Sequence, residues 1–142
     1  MDVMSIKLAR MIRFDSTLSV DEKIKHIESM AEEFAGISSK QNLEFFCIGE
    51  QAICAVLAEM LTMENAPVDD VIRIREKQFV AMERMLKLAE TDGILKEQIQ
   101  STYKTNDIIA WQMNRLLSSP HPQFARLRED SKYMEMLNRW GR

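Results

Sequence analysis

The sequence predicts an all-α protein, a single-domain antiparallel helical bundle of five to six helices. Only four glycines and three prolines occur in 142 residues, and these few helix breakers fall where helices should end. Apolar residues recur at the three- and four-residue spacing of a helix face along most of the chain. The length and a hydrophobic share of 46% suffice for one domain with a buried core.

The first predicted helix is short and amphipathic. Its apolar residues are Met4, Leu8, Met11 and Ile12, and its basic residues are Lys7, Arg10 and Arg13. Because the basic residues interrupt the apolar ones, this segment matches neither a secretory signal nor a membrane span, and the rest of the sequence contains no span either. We therefore expect a cytoplasmic protein that does not insert into a membrane.

A capping signal predicts the second helix. Ser19 and Glu22 have the spacing of a capping box, so the helix should begin at Val20. Ala35-Gly36 should end it, because glycine readily adopts the left-handed conformation that closes helices. The apolar stripe that we expect to be buried comprises Val20, Ile24, Ile27, Met30, Ala31 and Phe34.

The third helix should be the central one. Ser38 and Gln41 repeat the capping signal, and a strongly apolar helix is predicted over about residues 40–63. Cys47 and Cys54 lie seven residues apart in this helix, roughly 10 Å along its axis at about 1.5 Å per residue. No disulfide within one chain spans that distance, so both are predicted to be reduced core thiols.

A tight connection precedes the fourth helix. Asn65-Ala66-Pro67 places a proline at a first helical position, and the helix that follows should reach Thr91-Asp92-Gly93. Helices joined by so short a connection pack as antiparallel neighbours.

The region from residue 94 to residue 117 keeps a helical period. Its apolar positions include Leu95, Ile99, Tyr103, Ile109, Met113 and Leu116. Thr105-Asn106-Asp107 is a weak point, so one long helix and two shorter helices both fit the pattern. The predicted bundle core thus covers residues 1–117.

The end of the chain is predicted to differ from this core. Residues 118–123 form a Pro-rich linker, and residues 124–142 form an amphipathic C-terminal segment. Ser131 is the expected cap of its helix. The apolar face of that helix comprises Tyr133, Met136, Leu137 and Trp140.

Three polar residues fall inside apolar helix faces. On a helical wheel, Arg75 and Gln78 lie within the apolar arc of the fourth helix, and Glu50 lies within that of the third. If these helices fold back on each other, Glu50 lies opposite Gln78 and roughly 7 Å from the level of Arg75. We expect a polar cluster that either fixes helix register in the core or faces a partner or a dimer seam.

The sequence is poor in groups for catalysis or metal binding. His26 lies near Glu22 and Glu33, but the paired Glu-x-x-His units of di-iron bundles do not occur. His121 lies between two prolines of the linker. No phosphate-binding glycine-rich loop, zinc spacing or nucleophile elbow is found. We therefore expect no enzymatic activity, no catalytic residue, no metal site and no cofactor.

Local basic strips keep nucleic-acid binding open as an alternative. One strip lies in the first predicted helix, and the other lies in the C-terminal segment among three aromatic residues, a mixture that nucleic-acid surfaces use. Acidic residues of the same segment repel phosphate, and a net charge of −3 gives no general attraction. The second strip comprises Arg126, Arg128, Lys132, Arg139 and Arg142.

A protein partner is the interaction that the sequence favours. Eleven methionines are several times the usual share, and their flexible side chains suit adaptable apolar surfaces. Such faces support helix-in-groove or coiled-coil binding. The predicted partner-binding residues are Met113, Leu117, Phe124, Tyr133, Met136, Leu137 and Trp140.

Two segments carry a family resemblance. The run "LAEMLTMENAPVDDVIRIREKQFVAMERML" and the later "TYKTNDIIAWQMNRLL" resemble the pattern of FlgN-type flagellar export chaperones over about half of the chain. The residues that correspond to the pattern are Glu59, Lys77 and Asn114. The resemblance implies a small cytoplasmic helical protein that holds an export substrate through its C-terminal helices.

The sequence thus predicts a non-enzymatic protein–protein interaction module, most specifically a small cytoplasmic chaperone or adaptor that binds through apolar helix faces. A homo-oligomer is also compatible with such faces. Two alternatives remain: a small regulator or inhibitor that docks onto a larger folded enzyme or complex, and a nucleic-acid-associated helical protein.

Overall fold

The computed structural model describes the backbone of residues 10–41 and 46–141, and the side chains of residues 10–33 and 48–141. The predicted helix before residue 10, the side chains of Phe34 and Cys47, and Arg142 lie outside these ranges. The all-α prediction is confirmed, because the described residues contain helices and turns but no strand.

Residues 10–14 are helical, and seven further helices follow within the described ranges. The prediction of five to six helices is therefore slightly too low. Their bounds are α1 Val20–Gln41, α2 Phe46–Met63, α3 Val68–Ala89, α4 Gly93–Tyr103, α5 Ile108–Ser118, α6 Pro122–Arg128 and α7 Ser131–Trp140.

Helix α1 begins as predicted but ends later. The Ser19 backbone N–H donates to Glu22 Oε1 and the Glu22 N–H donates to Ser19 Oγ, both at 3.2 Å, which completes the capping box. The predicted end at Gly36 is wrong, because no described glycine adopts positive φ and the helix continues to Gln41. Ser38 therefore lies inside α1 and caps no new helix.

Helices α2 and α3 form the antiparallel hairpin that the sequence predicts. Asn65 takes the left-handed conformation at φ 56°, and the Ala66 N–H donates back to the Leu61 carbonyl at 2.9 Å. Pro67 occupies the N-cap of α3, one residue before the predicted position. This pair makes the most extensive contact between described helices.

The structure answers the question left open for residues 94–117, which form two helices. Lys104 ends α4 in the left-handed conformation at φ 59°. Asp107 then caps α5 by accepting a hydrogen bond from the Ala110 N–H at 3.0 Å. The weak point at Thr105-Asn106-Asp107 is thus a real helix boundary.

The C-terminal segment packs against the bundle. Helix α6 begins inside the predicted linker of residues 118–123, with Pro122 in its first turn. Asp130, rather than Ser131, caps α7 by accepting from the Lys132 and Tyr133 N–H groups. Helix α7 contacts both α3 and α6.

The apolar face of α7 belongs to the core. Tyr133, Met136 and Leu137 are completely or almost completely buried. The Trp140 ring stacks on Phe79 of α3 with ring centroids 5.6 Å apart. In the part of the chain that is described, no helix combines the length and apolarity needed to cross a membrane.

Removing the Trp140 ring should therefore destabilise the fold. We expect Trp140→Ala to lower the free energy of unfolding by about 2 kcal/mol, below the 3–5 kcal/mol typical of fully buried aromatic residues, because Trp140 is only half-buried. Urea unfolding followed by circular dichroism measures this change. Leu117→Ala is the control, since Leu117 is 45% exposed and should change stability by less than about 0.5 kcal/mol.

A Trp140→Ala protein with unchanged stability would show that α7 is not part of the cooperative fold.

Candidate functional site

A cleft of about 920 Å³ opens between the ends of several helices. Its walls come from α2, α3, α4 and α5, and its rim includes Ser119-Pro120-His121 and Phe124. Such a volume lies in the range of ligand sites in proteins. The cleft is the candidate functional site because it combines apolar walls with buried polar groups.

The apolar walls come from side chains of four helices. Met82 and Met85 of α3 face Leu95 and Ile99 of α4, with Val56 of α2 also lining the space. Methionine side chains adapt to differently shaped ligands because they are unbranched and polarizable. In the free protein these side chains are nearly closed to solvent, with Met82 1%, Met85 3%, Leu95 4% and Ile99 3% exposed, so an apolar occupant has to part them.

Aromatic and amide groups lie on the other side of the cleft. The Tyr103 and Trp111 rings meet edge to face with centroids 4.8 Å apart, across the α4–α5 boundary. The Gln51 amide Nε2 donates to the Tyr103 hydroxyl at 3.3 Å. The Arg115 guanidinium lies over the Trp111 ring, 4.8 Å from its centroid.

Arg75 and Gln78 are the most deeply buried polar residues that line the cleft, beside Gln51 and Gln112. Arg75 is 3% exposed and Gln78 is 0% exposed, and both line the cleft. Arg75 Nη1 donates to Gln78 Oε1 at 2.7 Å, a contact between residues one helical turn apart. Arg75 Nε and Gln78 Nε2 are buried and make no hydrogen bond. Two donors of this pair are thus left without an acceptor.

No carboxylate of the described residues lies within ion-pair distance of Arg75. Glu59, which also lines the cleft, pairs with Arg13 at 3.5 Å. Glu50 lies 3.8 Å from Arg84. The predicted cluster of Glu50, Arg75 and Gln78 is therefore found only in part, because Arg75 contacts Gln78 whereas Glu50 lies against Arg84. Arg84 is partly hydrated, so this pairing avoids the desolvation that a fully buried ion pair requires.

Burial controls the protonation of the groups around the cleft. Burial lowers the pKa of Arg75, although a guanidinium still keeps its charge in a protein. Burial also raises the pKa of Tyr133, against the opposing effect of Arg75. The Tyr133 hydroxyl is therefore neutral, and it lies next to the Arg75 guanidinium. It supplies no negative charge to Arg75.

The cleft is locally basic in an acidic chain. Three arginines line it, Arg10, Arg75 and Arg115, against the single carboxylate of Glu59. The whole chain carries a net charge of −3. The local excess of positive charge favours an anionic group on whatever occupies the cleft.

The structure separates the residues predicted to bind a partner. Phe124 lines the cleft, whereas Tyr133, Met136 and Leu137 are core residues and Trp140 stacks on Phe79. Met113 is buried too, and Leu117 is exposed but does not line the cleft. Four of the seven predicted residues lie on the apolar face of α7, which the bundle itself buries.

Sequence analysis missed the other cleft residues because they are spread over the chain. Gln51, Tyr103, Trp111 and Arg115 come from three helices, and no short motif joins them. The one available signal is the aromatic pair that flanks the α4–α5 boundary. The Tyr103–Trp111 pair indicates a shared surface only when the boundary between α4 and α5 is already known.

The cysteine and histidine side chains that the structure describes are Cys54, His26 and His121. Burial raises the pKa of the Cys54 thiol to about 12, so the thiol stays protonated. His26 is exposed on α1. His121 lies at the cleft rim against Phe124, with ring centroids 6.4 Å apart. Among the described residues, no three His, Cys, Asp or Glu side chains lie close enough to hold a metal ion.

The C-terminal basic strip makes contacts within the protein. Arg126 donates to the Ala66 carbonyl at 3.1 Å, and Arg128 donates to the Leu116 and Ser119 carbonyls at 3.0 and 2.9 Å. Arg139 pairs with Glu76. These arginines fix α6 and α7 to the bundle.

Comparison of this chain with family models, curated proteins and solved structures gave no match. The cleft is therefore the feature of this chain from which a function can be inferred.

The Arg75–Gln78 pair should lower the stability of the free protein. We expect the double variant Arg75→Met/Gln78→Met to unfold with a free energy about 1–4 kcal/mol higher than the parent, because it removes a buried charge and two buried unpaired donors. Thermal and urea unfolding measure the difference. A less stable variant would show that the free protein contains a group that compensates the charge.

Glu50 should make stability depend on pH. Burial raises the pKa of Glu50 above its ordinary value, so the folded protein holds this proton more tightly than the unfolded chain. Stability then falls as the pH rises from the ordinary glutamate pKa through the raised one. We expect Glu50→Gln to be more stable than the parent at pH 7, and the difference to vanish below the ordinary pKa.

Urea unfolding at a series of pH values tests this prediction. Glu97→Gln, at an exposed position of α4, is the control. A parent protein more stable than Glu50→Gln at pH 7 would mean that the attraction of Arg84 and Lys77 exceeds the effect of burial.

Proposed function

We propose that this protein is a non-enzymatic interaction module that binds a segment of a protein partner in the cleft, most specifically as a small cytoplasmic chaperone or adaptor. The observation that supports this proposal is the cleft itself, in which adaptable apolar walls surround a buried polar pair. The proposal moves the binding site from the apolar face of α7 to the opening between α2, α3, α4 and α5.

The residue types of the cleft suit a protein partner. Tryptophan, tyrosine and arginine are the side chains that most often dominate binding energy at protein interfaces, and Trp111, Tyr103 and Arg115 lie together here. Met82 and Met85 add an adaptable wall. An amphipathic segment can place its apolar residues against this wall.

Helix α3 both contacts the C-terminal helix and lines the cleft. Phe79 of α3 packs on Trp140 of α7, while Arg75, Gln78, Met82 and Met85 of the same helix line the cleft. Helix α3 therefore has one part of its surface held by the C-terminal helix. Another part lines the cleft, where its side chains are at most 3% exposed in the free protein.

The export-chaperone form of the proposal rests on the sequence resemblance. Of its three corresponding residues, Glu59 lines the cleft, Lys77 lies on α3 and Asn114 is exposed on α5. The cleft lies among the helices that carry the resemblance. An export substrate held there would contact α2, α3 and α5 rather than α7.

A regulator of a folded enzyme would use the same cleft differently. Such a regulator needs the target's folded surface, whereas a chaperone or adaptor recognises a short segment that binds as an isolated peptide. Peptide binding therefore separates the two functions.

A peptide library tests the proposed function. We expect random 16-residue peptides displayed on phage to yield sequences that bind the protein, and that Ala55→Trp weakens their binding at least tenfold by filling the cleft. Ala110→Trp introduces the same ring at an exposed position outside the cleft and should leave binding unchanged. Fluorescence anisotropy of synthetic peptides gives the dissociation constants.

If no peptide is selected, or if Ala55→Trp binds the peptides as well as the parent does, the proposed function is wrong. Light scattering of the same proteins determines whether a homo-oligomer covers the cleft.

A further inference from the structure

The Arg75–Gln78 pair has no role in the apolar binding described so far. An apolar segment needs no buried guanidinium, and among the described residues Arg75 has no carboxylate within ion-pair distance, only the longer-range attraction of Glu59. The pair nevertheless lines the cleft, with its unpaired donor atoms closed to solvent in the free protein. The position of the pair in the cleft wall and its unpaired donors therefore point to a role in binding the occupant.

The free donors of the pair define the chemistry of that occupant. Arg75 uses Nη1 to hold Gln78 Oε1, and this contact turns the amide so that Nε2 is left as a donor. Arg75 Nε is a second unpartnered donor. The pair therefore presents donors and positive charge, and no free acceptor. An acceptor with negative charge complements it.

The described residues do not supply such an acceptor. The nearest candidates are the Tyr133 hydroxyl, which is neutral, and Glu59, whose carboxylate pairs with Arg13. Glu50 pairs with Arg84. Each described carboxylate close to the cleft is thus engaged elsewhere, and a carboxylate on an occupant would supply the acceptor.

A carboxylate fits this site better than a phosphate group. The planar guanidinium matches the two oxygens of a carboxylate, and a second donor from Gln78 adds to that match. A phosphate carries nearly two charges and more oxygens than these donors satisfy. Glu59 in the same cleft would also repel the larger charge.

We propose that the Arg75–Gln78 pair recognises a carboxylate of the partner segment, an Asp or Glu side chain flanked by apolar residues. The inference rests on the proposed function, because it names the chemistry of the segment that the cleft accepts. The apolar neighbours of the acid occupy the walls formed by Met82, Met85, Leu95 and Ile99. Arg10 and Arg115 at the cleft add attraction for an acidic segment.

Such recognition would be selective as well as attractive. A segment with glutamine in place of the acid leaves the guanidinium buried and uncompensated under the bound peptide. A segment with lysine places a second positive charge against Arg75. The pair therefore rejects neutral and basic segments that fit the apolar walls equally well.

The selected peptides and two protein variants test this inference. We expect each enriched peptide family to contain an Asp or Glu between apolar residues. Changing that acid to its amide should weaken binding to the parent at least tenfold. The same change should alter binding to Arg75→Met/Gln78→Met by less than about threefold, because the variant has no cation to lose its partner.

Lys96→Met is the matched control. It removes one positive charge from an exposed position on α4 outside the cleft, so the effect of the acid should stay at least tenfold. Circular dichroism and thermal unfolding establish that the double variant is folded. A variant that is folded and still discriminates acid from amide overturns the inference.

The outcomes keep the two proposals apart. Peptides that bind in the cleft without any acid, or independently of Arg75, overturn the carboxylate inference and leave the proposed function standing. The absence of any selected peptide overturns both.

A free carboxylate is the other source of the same chemistry. Dodecanoate is the probe, with dodecanol as its uncharged counterpart and Trp111 fluorescence as the readout. Dodecanoate that binds through Arg75 while acidic peptides do not bind would overturn the assignment to a partner's side chain.

Discussion

The antiparallel contact between α2 and α3 is the interaction on which the rest of the fold depends. It joins the most apolar helix of the chain to the helix that carries Arg75, and it is the most extensive contact in the described structure. The left-handed conformation of Asn65 fixes the turn between them. Helices α1, α4, α6 and α7 each contact one or both members of this pair. A change in its register would therefore move every wall of the cleft.

The docking of α7 explains why the apolar face of the C-terminal segment is not a free surface for a partner. An amphipathic helix shows that one face must be covered, but its sequence does not distinguish a partner from the helix's own bundle. Here α3 supplies the cover, with Phe79 against Trp140 and with the face of Tyr133 turned into the core. Helix α3 thus contacts α7 through Phe79, and other residues of the same helix line the cleft.

The sequence predicts the elements of this fold better than its site. Helix periods, the capping box of Ser19 and the turn at Asn65 are local, and local signals determine where helices begin and turn. Gly36 misleads because glycine in a helix costs only about 1 kcal/mol, which packing can override. The site brings together Gln51, Tyr103 and Arg115 from separate helices, so it depends on tertiary arrangement. The helical wheel predicts that Arg75 faces inward. The residue that Arg75 contacts could not be predicted, because it depends on how α2 and α3 pack.

The unpaired state of Arg75 fits a residue kept for binding rather than for stability. A buried cation with an unpaired donor is expected to lower the stability of the free protein, and apolar side chains of similar size would fill its place without that penalty. The unfavourable desolvation has already occurred in the free protein. An arriving carboxylate therefore has to lose only its own hydration, and it meets a donor pair already held in place by the 2.7 Å contact with Gln78. Under the proposed carboxylate recognition, the pair expected to weaken the fold would also prepare the cleft for an acidic partner.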